Sequence, residues 1–415
     1  MLIRLKQQKL MLCGMLSVLI TYETVKLSAY PSLLLVHYLF LCLCLLSFFV
    51  MVCICLRRPR MSRFEGWVAA YYVLLLLFTL INGTNIGNLI IYQSTEVLLL
   101  LMLFSYFRGS LALMIKVCAV LFSVMIYANF VSMVLFPDWM FTAKDVFNNY
   151  LLGGNYNQMG VRMLCGLVTN ILCVRFNKKW LLNVVALSVV SLVTLLLVTS
   201  MTALTCVCLF LLFCLVPSRW LRKVGLACVF IVFLFLQITL VFGGEGLANN
   251  EYASYFIEQV LGKNMSFTHR TELWAAAGHL FAESPLWGYG CVDIDWYLSH
   301  LSTVGKGPHN FLYGILLNGG IILFTVFVAI CVAVMRKVYA TRWDGYCLVL
   351  IMGVEMRLFM GLMEEYPMFF MIYLLVLLYY YPDLCAEEKR AAPSDCHAEI
   401  ALKEAQCLSD TRKNP

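Results

Sequence analysis

The chain has 415 residues, of which 62% are hydrophobic and 13% charged, and its mean hydropathy is +0.85. That balance excludes a soluble globular domain and identifies an all-α polytopic membrane protein, because apolar runs of about 17–25 residues, each enough for ~30 Å of hydrocarbon, recur along its length. The formal charge of +7 points to no nucleic-acid partner, since Lys and Arg stand in short clusters between the runs, where they set topology.

In chain order, Arg4, Lys6 and Lys9 precede the first apolar run, residues 10–30, and place the N-terminus in the cytoplasm. The second run, 31–56, ends on Arg57-Arg58-Pro59-Arg60. Further runs cover roughly 65–81, 86–107, 110–136, 158–176, 181–199, 201–217, 224–242, 309–335, 344–362 and 367–382. Alternating these about twelve spans puts Arg175/Lys178/Lys179, Arg219/Arg222/Lys223, Arg336/Lys337/Arg342 and the tail on one side. A single missed span would have moved half the clusters across. The chain therefore divides into spans over 1–242, a large extracytoplasmic loop over 243–308, three spans over 309–382, and a polar cytoplasmic tail over 383–415. No cleavable signal peptide is evident. The eighteen cysteines lie mostly inside runs and read as small packing residues, with Cys291 in the outer loop and without an obvious disulfide partner.

Two outer segments interrupt the apolar pattern. The shorter, 137–158, holds Gly153-Gly154-Asn155-Tyr156-Asn157. In the longer one, Thr268 would cap a helix running to about Glu283, with Glu272 in its first turn and Leu273, Ala277 and Leu280 on one face. Ser284-Pro285 would stop it, and Gly288 and Gly290 follow as turn residues. The tripeptides Asn82-Gly83-Thr84 and Asn264-Met265-Ser266 match a glycosylation pattern that short sequences meet by chance.

Four of the six histidines fall between Thr268 and Gly320. His309 and Asn310 stand where the loop meets the tenth span. Asn310 suits an N-cap, whose free N–H groups would form an anion site, and an imidazole beside it could take a proton from a hydroxyl. The plainer reading of His309 is an interfacial polar residue. Arg270 could grip phosphate oxygens bidentately, with Trp274 stacking on it or on a sugar face; its plainer fate is a surface pair with Glu272 or Asp293. Arg162 and Arg357 lie inside apolar runs near their outer ends, where a charge is costly and faces a polar cavity, or else snorkels or pairs. Glu364-Glu365 lie just outside the span of Arg357, and Glu23, Glu96 and Lys116 are assigned to interhelical hydrogen bonds. His279, Glu283, Asp293 and Asp295 lack metal-ligand spacing, so no metal is expected.

The ordered set Arg270-x-x-x-Trp274, Ser284-Pro285-Leu286-x-Gly288-x-Gly290, His309-Asn310-x-Leu312-x-x-x-Leu316 and Gly319-Gly320 resembles the O-antigen ligase and Wzy-type polysaccharide polymerase family. Gly154-Asn155-Tyr156-Asn157 is similar to the family's Gly-Asn-Pro-Asn element, with Tyr156 in place of proline. Ser200-Met201-Thr202 lacks the arginine that family members often carry at a corresponding Ser-Arg element, and Arg162 or Arg357 is our candidate substitute. The resemblance implies a GT-C-like, metal-independent glycosyltransferase without cofactor in a bacterial cytoplasmic membrane, working on the outer face. Its donor would be a polyprenyl-diphosphate-linked glycan, and its partners a glycan acceptor, the lipid bilayer and other polysaccharide assembly proteins. His309 and Arg270 would be catalytic, and Asn310, Arg162, Arg357, Trp274, Asn155 and Asn157 would bind substrate. Trp287 and Trp296 could also hold sugar faces. Polymerase is the leading expectation. The alternatives are a ligase acting on a lipid A core or other surface acceptor, a transporter or flippase, and a sensor whose loop binds a partner.

Overall fold

A computed structural model describes residues 2–25, 27, 31–57, 61–137, 150–152, 158–243, 270–301, 307–341 and 343–391. Among them there is no strand, and a helix sits on each predicted run: α1 Leu2–Thr24, α2 Leu34–Arg57, α3 Arg63–Asn82, α4 Ile86–Tyr106, α5 Leu111–Leu135, α6 Met159–Phe176, α7 Trp180–Leu197, α8 Met201–Leu215, α9 Arg219–Phe242, α12 Phe311–Tyr339, α13 Gly345–Met360 and α14 Met368–Ala391. Two shorter helices, α10 Arg270–Glu283 and α11 Ile294–His300, precede α12. Among the described residues nine helices are long and apolar enough by themselves to cross a membrane; α8 is shorter, α13 has 16 residues, and α1 opens on a basic stretch. The chain is a multi-pass membrane protein.

The central helices are α6 and α14, each 78% buried along its apolar window, against 17% for the peripheral α2. Lipid-facing leucines such as Leu35 and Leu182 cover the outside. One end of the bundle collects basic side chains on acidic partners. Arg175 bonds Asp344 and Glu388, each at 2.7 Å, and Lys337 bonds Asp383 at 2.7 Å. The last helix thus continues past Asp383, with Pro382 inside it, into the stretch the sequence reads as tail.

At the opposite end α12 is broken. Gly319 and Gly320 leave helical geometry, Gly320 with φ +59° and ψ −160°. A break inside a span frees backbone groups that hydrocarbon cannot satisfy. The segment Pro285–Gly290 supplies the partners: Tyr289 N–H donates to Leu317 O (2.7 Å), Gly290 N–H to Asn318 O (2.9 Å), and Ile321 N–H to Pro285 O (2.8 Å). Gly288 and Gly320 both have positive φ, and a Cβ on either would overlap the opposing backbone, so only glycine permits this approach. The far side of the segment is tied to the end of α3, where Cys291 N–H donates to Thr79 Oγ1 (2.8 Å) and Asn82 Nδ2 to Gly288 O (3.3 Å).

Candidate functional site

α10 runs from Arg270 to Glu283 and buries Leu273, Trp274, Ala277 and Leu280, so the predicted helix, its inner face and its stop before Pro285 are all present. Thr268 lies outside the described residues. Packing of α10 against α12 and the end of α9 brings Arg270, at the start of one helix, to the start of the other.

Asn310 caps α12: its Oδ1 accepts from Tyr313 N–H at 2.9 Å. The side chain is fully buried, and its Nδ2 donates to Gln237 Oε1 (3.1 Å) and Leu362 O (3.2 Å). Gln237 opens a π-helical turn, Gln237–Phe242, that ends α9. Phe311 N–H is also taken, by Gly361 O at 2.8 Å. The anion site expected at this helix start is therefore largely occupied by the protein's own acceptors. What these bonds fix is His309, held at φ +46°, a conformation that costs a non-glycine residue about 1–3 kcal/mol and persists because its neighbours over-determine it.

His309 and Arg270 meet on one carboxylate. Glu364, buried in the connection between α13 and α14, places Oε1 2.9 Å from His309 Nδ1 and Oε2 3.6 Å from Arg270 Nη2. A carboxylate only accepts, so the imidazole donates from Nδ1 and leaves Nε2 with its lone pair. The Arg270 contact is longer than a hydrogen bond and holds the guanidinium without saturating its fork.

Behind this cluster lies Arg357, fully buried. Its guanidinium stacks on Phe311 (4.7 Å) and Tyr366 (4.9 Å), and Nη2 donates to the Tyr366 and Pro367 carbonyls, each at 3.3 Å. Its Nε and Nη1 are buried with no hydrogen-bond partner among the described residues. Tyr366 connects the charged groups: burial and Glu364 push its phenol up, while Arg357 and Arg270 pull it down.

The segment after Glu364 forms one wall of a cavity of about 500 Å³, together with Phe311, Gly314 and Asn318 of α12. Burial pushes Glu365 up to about 7, against the pull of His309 and with a further rise from Glu364. Arg162 lines the same cavity. It is 1% exposed, its Nη1 donates to Gln158 O (2.9 Å) and its Nη2 to Glu23 O (3.4 Å), and it stacks on Phe370 at 5.3 Å. Of the three arginines, Arg162 thus lines the cavity, Arg357 braces its wall, and Arg270 stands on Glu364.

Trp274 is fully buried, its Nε1 without a partner among the described residues, and so presents no face to a sugar in this arrangement. Trp296 stacks on His300 at 4.4 Å, and Trp287 is half exposed. Asn155 and Asn157 lie outside the described residues. Sequence reasoning noted Glu364 without giving it a role, and Gln237 and Tyr366 not at all. The signal for Glu364 was an acidic pair at a span end; for Gln237 it was a lone amide in an apolar run. Among the described residues no three His, Cys, Asp or Glu side chains cluster as metal ligands.

Residues 182–328 match a family model described as O-antigen ligase. That interval contains Arg270, His309 and both halves of the broken-helix seam; Arg162, Arg357 and Glu364 lie beyond it. No curated protein and no solved structure matches the chain.

Proposed function

We propose, from the match of residues 182–328 to the O-antigen ligase family model, that the chain is a glycosyltransferase taking its glycan from a polyprenyl diphosphate and polymerising repeat units. The observation that carries this reading is Glu364 joining His309 and Arg270 beside a cavity, with the buried charge of Arg357 behind.

An acceptor hydroxyl attacks the anomeric carbon of the donor while the carbon–oxygen bond to the diphosphate breaks. The hydroxyl proton goes to His309 Nε2, and Glu364 stabilises the imidazolium that forms. The bond pair leaves on the diphosphate, whose growing charge Arg270 meets directly and Arg357 supports from behind. Arg162 holds the cavity wall through the Gln158 and Glu23 carbonyls. Asn310, with every polar group engaged, positions His309, and Trp274 anchors α10 and so Arg270. Single displacement inverts the anomeric centre. The basic end of the bundle faces the cytoplasm and the His309 end the outside, where neither nucleotide sugar nor ATP is available and the donor must arrive activated on a lipid.

Purified protein in nanodiscs, given the lipid-linked repeat unit with chelator and without nucleotide, should form polymer. The His309→Ala and Arg270→Ala variants should form none, and wild-type product lengths from both would overturn the mechanism. The family description favours a second reading, ligase. It is tested by adding a lipid A core acceptor to the same assay and asking whether the glycan moves to it instead of onto another repeat unit.

A further inference from the structure

The cavity has a far side that the transfer chemistry does not use. There His37 stacks on Tyr22 (5.5 Å, 20°) and lies parallel to Tyr92 (6.4 Å, 10°). Tyr92 and Gln93 belong to a π-helical turn, Leu89–Ser94, that interrupts α4 and brings both into the lining. Such single π turns concentrate at functional sites. Glu23 and Glu96 stand in the same wall, and Glu365 in the opposite one.

The charges decide what can enter. Among the described residues the lining holds the carboxyl groups of Glu23, Glu96 and Glu365, the last part-protonated near pH 7, and one guanidinium, Arg162, which donates to the Gln158 and Glu23 carbonyls. A phosphate or uronate among them would meet like charges at a cost of about 1–4 kcal/mol per close pair, depending on local dielectric. Ring faces beside carboxylate and amide acceptors instead suit a sugar, whose C–H face packs on aromatics and whose hydroxyls donate. Asn318 of α12 also lines the cavity, and its buried Oδ1 has no hydrogen-bond partner among the described residues. The volume falls within the ~300–1,000 Å³ usual for small-ligand sites.

We propose that this cavity is the glycan subsite, seating an uncharged or amino-bearing sugar of the acceptor next to His309 and rejecting acidic sugars. The inference rests on the glycosyltransferase reading for its ligand class. It leaves the diphosphate on the side of Arg270 and Arg357, so that the two chemically opposite parts of the substrates occupy electrostatically opposite surroundings.

The test is binding of soluble oligosaccharides, free of lipid and phosphate, to the full chain in nanodiscs by calorimetry. Three otherwise identical oligosaccharides end in glucose, glucosamine or glucuronate. The first two should bind, and the third at least tenfold more weakly. Tyr92→Ala should weaken glucose binding about tenfold, and Glu96→Gln should narrow the discrimination against glucuronate. Tyr92 is 42% exposed, so its variant keeps the test valid should Glu96→Gln misfold. Glucuronate binding as tight as glucose, or Tyr92→Ala binding unchanged, overturns the proposal. A protein that polymerises but binds none of the three sinks this subsite alone; one that binds them selectively but transfers nothing sinks the transferase reading alone.

Discussion

Glu364→Gln isolates the contact on which the mechanism turns. The substitution keeps the size and planarity of the side chain and removes its charge. In the wild type, Oε1 lies 2.9 Å from His309 Nδ1, and in the proposed mechanism that ring becomes an imidazolium as the proton arrives at Nε2. At an effective dielectric near 20, a full charge pair at that distance is worth about 6 kcal/mol. The imidazolium is only part-formed at the transition state, and 26% of the His309 side chain is exposed. About 2–4 kcal/mol then remains, a fall in kcat of roughly 30- to 1000-fold at ~1.4 kcal/mol per decade.

The loss should appear in kcat rather than KM, because the carboxylate faces the imidazole and not the donor. The second contact gives a check. With the charge gone, Arg270 Nη2, now 3.6 Å from Oε2, loses its counter-ion. Glu364→Asp keeps the charge but shortens the reach, so it cannot hold both partners at these distances and should fall between wild type and Gln. The assay is initial-rate polymerisation in nanodiscs over a range of donor concentrations, with thermal unfolding of each variant measured alongside. A Glu364→Gln enzyme that folds normally and keeps kcat within threefold of wild type would refute the role given to the carboxylate.

Three further outcomes follow from the same geometry. Gly320→Ala, where a Cβ would overlap the Leu286 backbone, should abolish folding or activity, whereas Gly83→Ala, at φ +63° with nothing within 4 Å, should cost only about 1–2 kcal/mol in thermal unfolding. Arg357→Lys loses the planar stack on Phe311 and Tyr366 and should raise KM for the donor about tenfold, or ~1.4 kcal/mol, with little change in secondary structure by circular dichroism. Glu365, pushed up to about 7 from an ordinary 4.5, binds its proton more tightly folded than unfolded. Stability from that source is therefore complete below pH 4.5 and lost as pH rises to 7, by about 3–4 kcal/mol at most at ~1.36 kcal/mol per unit. Glu365→Gln should flatten that part of the unfolding-temperature profile relative to wild type, and superimposable profiles would contradict it.

The spans were legible because hydrocarbon thickness fixes their length and the basic clusters fix their alternation, two constraints that a local reading can apply. The cap at Asn310 and the inner face of α10 were legible for the same reason: each is written within four residues. Glu364 was not, because its partner His309 is 55 positions away and nothing periodic links a connection between spans to the start of another helix. The anion site read from the start of α12 failed through a similar blindness. A helix start offers free N–H groups only if no neighbouring backbone folds over it, and Gly361 does. Trp274 is a different case. It lies three residues before Ala277 but about 100° round the helix from Leu273, so spacing put it only at the edge of the apolar stripe, and its burial comes from tertiary packing.

Two glycine pairs that look unrelated in the sequence are one device. Gly288 and Gly290 belong to a segment that leaves α10, and Gly319 and Gly320 to a break in α12; the bonds from Tyr289, Gly290 and Ile321 join them into a backbone seam that tolerates no side chain at Gly288 or Gly320. α10 carries Arg270 at one end and enters the seam at the other, while the first turns of α12 run from the seam back to His309. Arg270 and His309 thus lie at the far ends of two helices joined at these glycines, and both meet Glu364. The geometry of the site is consequently set roughly two to four turns away from it. Substitutions at the seam should therefore reduce transfer while leaving every charged side chain of the site in the sequence, and the glycines of the motif are required for the placement of the arginine and the histidine rather than for contact with substrate.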